Sequence, residues 1–254
     1  MNKKRVLVTG AGSGIGRGLA LGLAEKGFDI LASDLNSTAV KETVEMINKS
    51  NGSGEWFELD VSSDESIERL VNSFLNPVDV LINNAGLQYV SKLEDFPQNK
   101  WELLINVMLN GTARMTRALL PGMKETGFGR IINIGSIHSI VASPYKSAYV
   151  AAKHGILGFS KTLALETADT DITINTICPS YVKTPLVEEQ IADQAKEYGL
   201  SEEDVINEIM LKPMPKGKFI GLDELVGISE FLISPTARNI TGQEIVVDGG
   251  WTIR

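Results

Sequence analysis

Short apolar segments alternate with helical patterns along the 254 residues, and this alternation restricts the chain to few folds. Segments that are apolar and β-branched throughout are typical of strands buried on both faces of a parallel sheet. Seven segments have this character: Arg5–Thr9, Phe28–Ser33, Glu55–Leu59, Val78–Ile82, Arg130–Ile134, Ile172–Cys178 and Glu244–Val247. The alternation predicts an α/β fold with a doubly wound, seven-stranded parallel sheet and right-handed crossovers.

Helices are expected between these strands from their apolar periodicity. The clearest are Ile15–Lys26, Ser63–Phe74, Trp101–Lys124, Ala148–Ala168 and Asp223–Ile233. Ser62 and Glu65 have the spacing of a capping box and predict the start of the second of these helices.

The segment Tyr181–Phe219 interrupts the alternation, because it is acidic and mostly helical in pattern. It fits an insertion outside the sheet better than a second domain. Long insertions near a site are often lids. We therefore expect one domain over residues 1–254, with 181–219 as a helical substrate lid.

The composition argues against several classes of partner and site. Acidic residues outnumber basic ones by 32 to 24, which gives a net charge of −8 without any basic stripe. This argues against a nucleic-acid partner, and an anionic ligand would need a local cationic pocket. Because Cys178 is the only cysteine and the chain has two histidines, we expect neither an internal disulfide nor a metal site.

The hydropathy pattern gives no sign of a membrane partner. No stretch approaches the roughly 18 apolar residues of a membrane span. The start, Met1–Arg5, resembles the basic end of a signal peptide, but the apolar run that follows, Val6–Val8, is too short for one. A cytoplasmic protein is the expectation.

A glycine loop, Thr9–Gly16, directly follows the first predicted strand and opens a helix. Glycines at such a place permit a tight turn and let backbone N–H groups reach a pyrophosphate at the helix N-terminus. The spacing is Gly10-x-x-x-Gly14-x-Gly16, with Ile15 where the G-x-G-x-x-G pattern has its third glycine. The context favours a dinucleotide site over a glycine-rich turn that holds no ligand.

Asp34 ends the second predicted strand, 18 residues beyond Gly16. A carboxylate at this place accepts hydrogen bonds from the adenosine ribose and repels a 2′-phosphate, so it favours NAD over NADP. Leu35 follows, where a binder of the 2′-phosphate would need an arginine. The alternative role for a lone aspartate here is a helix cap.

Tyr149 and Lys153 lie four residues apart, so both side chains point from one face of a helix. Two unit charges about 4 Å apart interact by roughly 4 kcal/mol at an effective dielectric constant near 20. An ammonium so placed would lower the phenol pKa from about 10 toward about 7, where it could exchange protons at working pH. The alternative is a half-buried tyrosine beside a solvated lysine.

Taken in order, the motifs resemble those of the short-chain dehydrogenase/reductases over the whole chain. They are Thr9–Gly16, Asp60-Val61, Asn83–Gly86, Ser136, Tyr149-x-x-x-Lys153 and Pro179. The resemblance implies a Rossmann-type fold in which Tyr149 is the catalytic acid/base. It also implies that Lys153 lowers the tyrosine pKa and that Ser136 hydrogen-bonds the substrate oxygen.

The same resemblance implies an NAD site. Asp60 and Val61 would contact adenine, and the backbone of Val182 would hold the carboxamide. The implied cofactor residues are Gly10, Ser13, Gly14, Ile15, Gly16, Asp34, Asp60, Val61, Asn84, Ala85, Gly86, Tyr149, Lys153 and Val182. No metal ligand is implied.

The second half is most similar to family members that oxidise (R)-3-hydroxybutyrate to acetoacetate, on the stretches Ile131–Ser136, Lys146–His154, Thr184–Gln190 and Val247–Trp251. The resemblance implies that a polar set grips the substrate carboxylate. With Ser136 and Tyr149 at the hydroxyl, that set is Gln88, His138, Lys146 and Gln190. Lys146 and His138 would supply the local positive charge that an acidic protein otherwise lacks.

Two other functions stay open. One is an NAD-linked alcohol or sugar dehydrogenase whose substrate has no carboxylate, and the other is a dinucleotide-binding protein with weak chemistry. The family resemblance also implies a homotetramer, with the helices Trp101–Lys124 and Ala148–Ala168 in one interface.

Three positions depart from the family pattern. Met108 replaces an asparagine that helps to hold a proton-relay water, and Asn106 and Asn110 cannot substitute because on an α-helix they face about 160° away. Ser180 replaces a glycine, so its backbone is expected to be left-handed or otherwise restricted. Tyr181 stands where the related hydroxybutyrate-oxidising enzymes have tryptophan.

Overall fold

Seven parallel strands form one sheet in the order β3-β2-β1-β4-β5-β6-β7. The structure is a computed structural model that describes residues 3–184, 187–188, 191–192, 195–196 and 199–253. The strands are β1 (Arg5–Thr9), β2 (Asp29–Asp34), β3 (Ser53–Glu58), β4 (Val80–Asn83), β5 (Gly129–Ile134), β6 (Ile172–Pro179) and β7 (Glu244–Val247). The predicted doubly wound sheet is confirmed, with strand ends that differ from the prediction by at most two residues.

Helices cover both faces of the sheet. They are α1 (Gly14–Glu25), α2 (Ser37–Lys49), α3 (Asp64–Ser73), α4 (Gln98–Ile105), α5 (Gly111–Thr126), α6 (Ser147–Glu166) and α7 (Leu222–Ile233). Successive residues of β1 point to opposite faces: Val6 and Val8 join the core under α1 and α7, while Leu7 joins the core under α3 and α5. Burial on both faces explains why the strands are apolar throughout.

The start of α3 differs from the prediction. Its N-cap is Ser63, whose hydroxyl accepts from the backbone N–H of Ser66 at 3.2 Å. Ser62, the predicted cap, instead donates its N–H and hydroxyl to the Asp60 carboxylate at 2.8 and 2.6 Å. The capping box at Ser62 was wrong because this carboxylate takes both donors of Ser62 before the helix begins.

The long helix predicted over 101–124 runs without a break from α4 to α5, but its middle is not α-helical. Asn106–Asn110 form a π-helical turn, and the N–H of Gly111 bonds to the carbonyl of Asn106, five residues back. Single π-helical turns inside α-helices often mark functional sites.

The described part of the inserted segment lies between β6 and α7 and adds no strand to the sheet. It has a small apolar cluster of its own, which includes Val187, Val205 and Met210, and its last helical part, Val205–Leu211, is π-helical. Across the described residues, no helix combines the length and apolar character needed to cross a membrane. That part of the chain also holds no cluster of three or more His, Cys, Asp or Glu side chains suited to a metal ion.

Candidate functional site

A cavity of about 100 Å³ opens at the carboxyl ends of the central strands. The strand order reverses between β1 and β4, and ligands of doubly wound sheets bind outside the strand ends at such a switch point. The predicted site residues that line the cavity come from separate parts of the chain: Ile15, Gln88, Ser136, His138, Lys146, Tyr149 and Val182.

The glycine loop has the geometry of a pyrophosphate cradle. Gly10 and Gly14 have φ angles of +65° and +53°, which favour glycine. A Cβ on Gly16 would lie 2.1 Å from the carbonyl oxygen of Gly10, so no larger residue fits at this position. The Ser13 side chain makes no capping hydrogen bond to the first turn of α1, which leaves the helix N-terminus suited to an anion.

Asn84 stabilises this loop from the end of β4. Its side-chain amide donates to the carbonyls of Thr9 and Gly10 at 2.9 and 3.1 Å. The Thr9 hydroxyl accepts in turn from the N–H groups of Asn84 and Ala85 at 3.0 and 3.1 Å. Asn84 therefore shapes the cofactor loop through its side chain, which the sequence prediction did not foresee.

Asp34 is held at the edge of the same loop. One carboxylate oxygen accepts from the N–H of Gly12 and the other from the N–H of Asn36, each at 2.9 Å. The helix cap of α2 is Asn36, whose side chain accepts from Ala39, so the capping role considered for Asp34 is wrong. Leu35 is 67% exposed beside it and offers no positive charge to a phosphate.

The two residues expected near adenine follow β3. The Asp60 carboxylate accepts a hydrogen bond from Ser62. Val61 is buried, and it packs so close to Gly111 at the start of α5 that a Cβ on this glycine would lie 2.9 Å from the Val61 side chain. Val182 is buried and pairs with Ile220 in an isolated parallel bridge, which fixes its backbone beside the cavity.

Ser136 and Tyr149 line the cavity, and Lys153 lies close to Tyr149. Ser136 follows β5, accepts from the N–H of His138 at 3.1 Å and hydrogen-bonds Tyr149. Lys153 lies one turn beyond Tyr149 on α6, and its ammonium donates to the Ile134 carbonyl at 2.6 Å. The ammonium nitrogen lies 5.7 Å from the centre of the tyrosine ring.

The expectation that the Tyr149 pKa falls toward neutrality is wrong for the protein alone. Burial raises the pKa of Tyr149, the hydrogen bond from Ser136 opposes this in part, and Cys178 raises it further. Burial also lowers the pKa of Lys153 to about 8. The four-residue spacing of Tyr149 and Lys153 predicts an attraction between the two groups, but it does not reveal the cost of burying both. In addition, the Lys153 ammonium is directed to a backbone carbonyl.

The expected carboxylate-binding groups line one wall, and they lack partners among the described residues. Lys146 is 5% exposed and has no carboxylate there; its ammonium lies 5.9 Å from the Tyr181 ring centre. His138 Nδ1 and Gln88 Oε1 are buried without a hydrogen bond in the same part of the chain. Burial of polar groups without partners is costly, so this wall is suited to a polar ligand. Gln190 lies outside the described residues.

Burial also sets the charge of this wall. It lowers the pKa of His138 to about 4, with smaller electrostatic contributions from Lys146 and His154, so the imidazole is neutral at pH 7. Burial lowers the pKa of Lys146 to about 8, and its ammonium remains the main positive charge there at neutral pH. The expectation of positive charge from both residues is therefore corrected to Lys146 alone, with His138 acting through hydrogen bonds.

Met108 is buried in the apolar cluster against which Tyr149 packs. It is 1% exposed and packs with Ala148 and Ala152 of α6, on the π-helical turn. The Asn106 side chain accepts instead from Arg114 at 2.7 Å, and Asn110 is exposed. The prediction that neither asparagine reaches the site is confirmed, although the turn that carries them is not α-helical.

Two positions behave differently from expectation. Apart from glycines, positive φ angles in the described chain occur at Asn51 and Tyr145, so Ser180 does not need a left-handed backbone. Trp251 was not predicted as a site residue, yet its ring lies 6.2 Å from His138 and 6.0 Å from Tyr181. The only sequence signal for it was its place in the stretch Val247–Trp251.

Known proteins similar to this chain were found by family, by sequence and by structure. A family model described as short chain dehydrogenase matches residues 4–195. D-beta-hydroxybutyrate dehydrogenases of Rhizobium meliloti and Cupriavidus necator are 44% and 43% identical, covering 98% and 99% of this chain and 98% of each relative. A crystal structure of an actinorhodin polyketide ketoreductase variant with NADPH superposes with a TM-score of 0.94 at 32% identity, covering 98% of this chain and 97% of that one.

Proposed function

The chain belongs to the short chain dehydrogenase family of oxidoreductases, and we propose that it oxidises (R)-3-hydroxybutyrate to acetoacetate with NAD. One observation carries the proposal: the buried ammonium of Lys146 lines the same cavity as Tyr149 and lacks a described carboxylate partner. A substrate carboxylate would supply that partner. The names of two relatives at 43% and 44% identity support the same substrate.

The described residues fit a bound dinucleotide. The open N-terminus of α1 would hold the pyrophosphate, Asp34 would take the adenosine ribose, and Val61 would flank the adenine. When bound, NAD would supply the hydride acceptor for the oxidation.

The chain's own residues would move the proton. Tyr149 would take the proton of the substrate hydroxyl, and Ser136 would donate a hydrogen bond to the same oxygen. Because the pKa of Lys153 is about 8, its ammonium stays charged at neutral pH and favours the phenolate form of Tyr149. Tyr149 would then lose this proton to water, which restores the phenolate form for the next turnover.

The other end of the substrate would lie against the carboxylate-binding wall. Lys146 would pair with the carboxylate, and the ring N–H of His138 and the side-chain NH₂ of Gln88 would donate hydrogen bonds to it. Gln190 is proposed to join them from the insertion, which would close as a lid. This arrangement would place the hydroxyl, rather than the carboxylate, at Tyr149.

The test is NADH formation from each enantiomer of 3-hydroxybutyrate, from its methyl ester and from 2-butanol. We expect the (R) acid to have by far the highest kcat/KM and the ester and the alcohol to be poor substrates, because they lack the charge that Lys146 would bind. Equal turnover of the ester would favour the alcohol dehydrogenase alternative. Dinucleotide binding without turnover of any substrate would favour the binding-protein alternative.

We also propose a homotetramer built on α4–α5 and α6. Leu103 on α4 and Leu165 on α6 are large apolar side chains that the single chain leaves exposed, at 39% and 80%. Light scattering on the eluting protein would give the mass of the assembly. A monomer of 27.5 kDa would contradict the proposal.

Cofactor preference should depend on Asp34. Asp34→Ala should narrow the preference for NAD over NADP by about 10- to 150-fold, the value of one hydrogen bond to a charged group. The comparison is kcat/KM for both cofactors in each protein, with Asp34→Asn as the variant that removes the charge but keeps the shape. Equal use of both cofactors by the unmutated protein would refute the assignment.

Met108 should limit proton exchange. Met108→Asn would place an amide beside Tyr149 and Gly86, where the resemblance implies a relay water, and we expect kcat to rise by part of the 10²- to 10⁴-fold that acid–base terms supply. The variant should lose about 1–3 kcal/mol of stability, because the amide is buried among apolar side chains. Met108→Leu is the control and should leave kcat unchanged. An unchanged kcat in Met108→Asn would show that the relay runs elsewhere or that another step limits turnover.

A further inference from the structure

The C-terminal turn from Asp248 to Thr252 lies directly behind the carboxylate-binding wall. We infer that Asp248 and Trp251 are positioning residues: Asp248 folds this turn so that the Trp251 ring holds His138 and Tyr181 in place for the substrate. The inference rests on the proposed function for the identity of that substrate.

Asp248 organises the turn through its carboxylate. One oxygen accepts from the N–H of Gly250 at 2.8 Å, and the other accepts from the N–H and hydroxyl of Thr252 at 2.7 and 2.8 Å. Burial raises the pKa of Asp248, but these bonds outweigh it and lower the pKa below its ordinary value. Gly249 and Gly250 have φ angles of +60° and +93°, so the turn has the backbone that only glycine adopts readily.

Trp251 is the residue that this turn presents to the site. Its ring stacks on Tyr181 at 6.0 Å between centroids and 25° between planes. It meets the His138 ring edge-on at 6.2 Å and 84°. His138 also meets Tyr149 edge-on at 6.2 Å and 86°, so the imidazole contacts both the indole and the phenol.

These ring contacts matter because His138 has little else to orient it. Its Nδ1 is buried with no hydrogen-bond partner among the described residues, and its backbone N–H is the group that bonds to Ser136. An imidazole that is to donate to a carboxylate must point in a defined direction. Packing against Trp251 and Tyr149 supplies that direction before substrate arrives.

The same turn supports the end of the insertion. Lys216 donates its N–H to the carbonyl of Gly249 at 3.0 Å. The Met214 side chain packs so close to Gly249 that a Cβ on this glycine would lie 3.2 Å from it. Ser180 donates to the sulfur of Met214 at 3.4 Å. Loss of the Asp248 hydrogen bonds would therefore weaken two things together: the ring contacts of Trp251 with His138 and Tyr181, and the support of the proposed lid.

Activity measurements test the role directly. Trp251→Leu and Asp248→Ala should raise KM for (R)-3-hydroxybutyrate by about 3- to 10-fold, the range that aromatic pair contacts contribute. The Kd for NAD should change much less, because no hydrogen bond joins the turn to the glycine loop among the described residues. Trp251→Phe and Asp248→Asn should recover part of the loss, and Trp56→Phe, on the edge strand β3, is the control.

The second measurement needs no substrate. The chain has two histidines, so selective proton NMR gives one signal each for His138 and His154. Lys146, Tyr149 and His154 are the titratable groups that face or influence His138, and none of them changes in Trp251→Leu. With water admitted in place of the indole, the pKa of His138 should rise from about 4 toward its ordinary 6.5, while the His154 signal keeps its titration.

The outcomes separate the inference from the proposed function. If the unmutated protein oxidises (R)-3-hydroxybutyrate but the variants leave KM unchanged, the positioning role is wrong and the proposed function stands. This holds whether or not the pKa of His138 changes. If the unmutated protein oxidises no 3-hydroxy acid, the proposed function fails and the His138 titration alone decides. An unchanged titration in Trp251→Leu would then overturn the inference.

Discussion

Tyr149→Phe should lower kcat for (R)-3-hydroxybutyrate by about 10²- to 10⁴-fold, the range that general acid–base catalysis supplies. The substitution removes the phenol oxygen but keeps the ring that packs edge-on against His138. NAD binding, followed by fluorescence titration, should weaken far less than kcat falls, because Tyr149 is only one of the residues that the resemblance places at the cofactor. Stability should fall by only about 1 kcal/mol, because one hydrogen bond with Ser136 is lost.

The matched control is Tyr89→Phe. Tyr89 also packs in the apolar cluster around Met108, with its ring 5.3 Å from Phe96, but it does not line the cavity. It should retain full kcat. Comparable losses in the two variants would show that Tyr149 acts through packing and that another group takes the proton.

The fold could be predicted from the sequence because its signals are local. Strands buried on both faces, such as Val6–Val8, are apolar at every position, and the glycine loop follows the first strand at once. The ends of strands were less certain, since the apolar pattern does not reveal where ladder bonds stop. Ser63 rather than Ser62 caps α3 because the Asp60 carboxylate binds Ser62, a contact that residue spacing alone does not disclose.

The sequence predicted residues that line one cavity, such as Ser136 and Tyr149, but not their electrostatics. The spacing of Tyr149 and Lys153 gives their common face, whereas their pKa values depend on burial by distant segments. The π-helical turn under Met108 has no sequence signal that distinguishes it from α-helix. Trp251 reaches His138 across more than a hundred residues of sequence, so only the tertiary structure shows this contact.

Lys146→Met should separate substrate recognition from folding. Its KM for (R)-3-hydroxybutyrate should rise by about 10- to 150-fold, the value of a hydrogen bond to a charged group, while NAD binding is unchanged. The methyl ester should lose nothing, because it has no charge for Lys146 to bind. In the unmutated protein, kcat/KM for the acid should fall above pH 8 as the ammonium, whose pKa is about 8, loses its proton.

The same substitution should make the fold more stable. Burial lowers the pKa of Lys146 from 10.5 to about 8, so the folded protein holds this proton more weakly than the unfolded chain does. The resulting penalty, at most about 3 kcal/mol, is fully present below pH 8 and disappears as pH rises to 10.5. Thermal unfolding of Lys146→Met should therefore show a gain at pH 7 that is lost by pH 10.5.

Lys100→Met is the control, because Lys100 is exposed on α4 and should change neither KM nor stability. A more stable protein that no longer distinguishes the acid from its ester would mean that the buried charge is kept for the substrate at a cost to the fold. If Lys146→Met is instead destabilised and retains the KM of the unmutated protein, Lys146 is a structural residue, and the carboxylate must be bound by other groups.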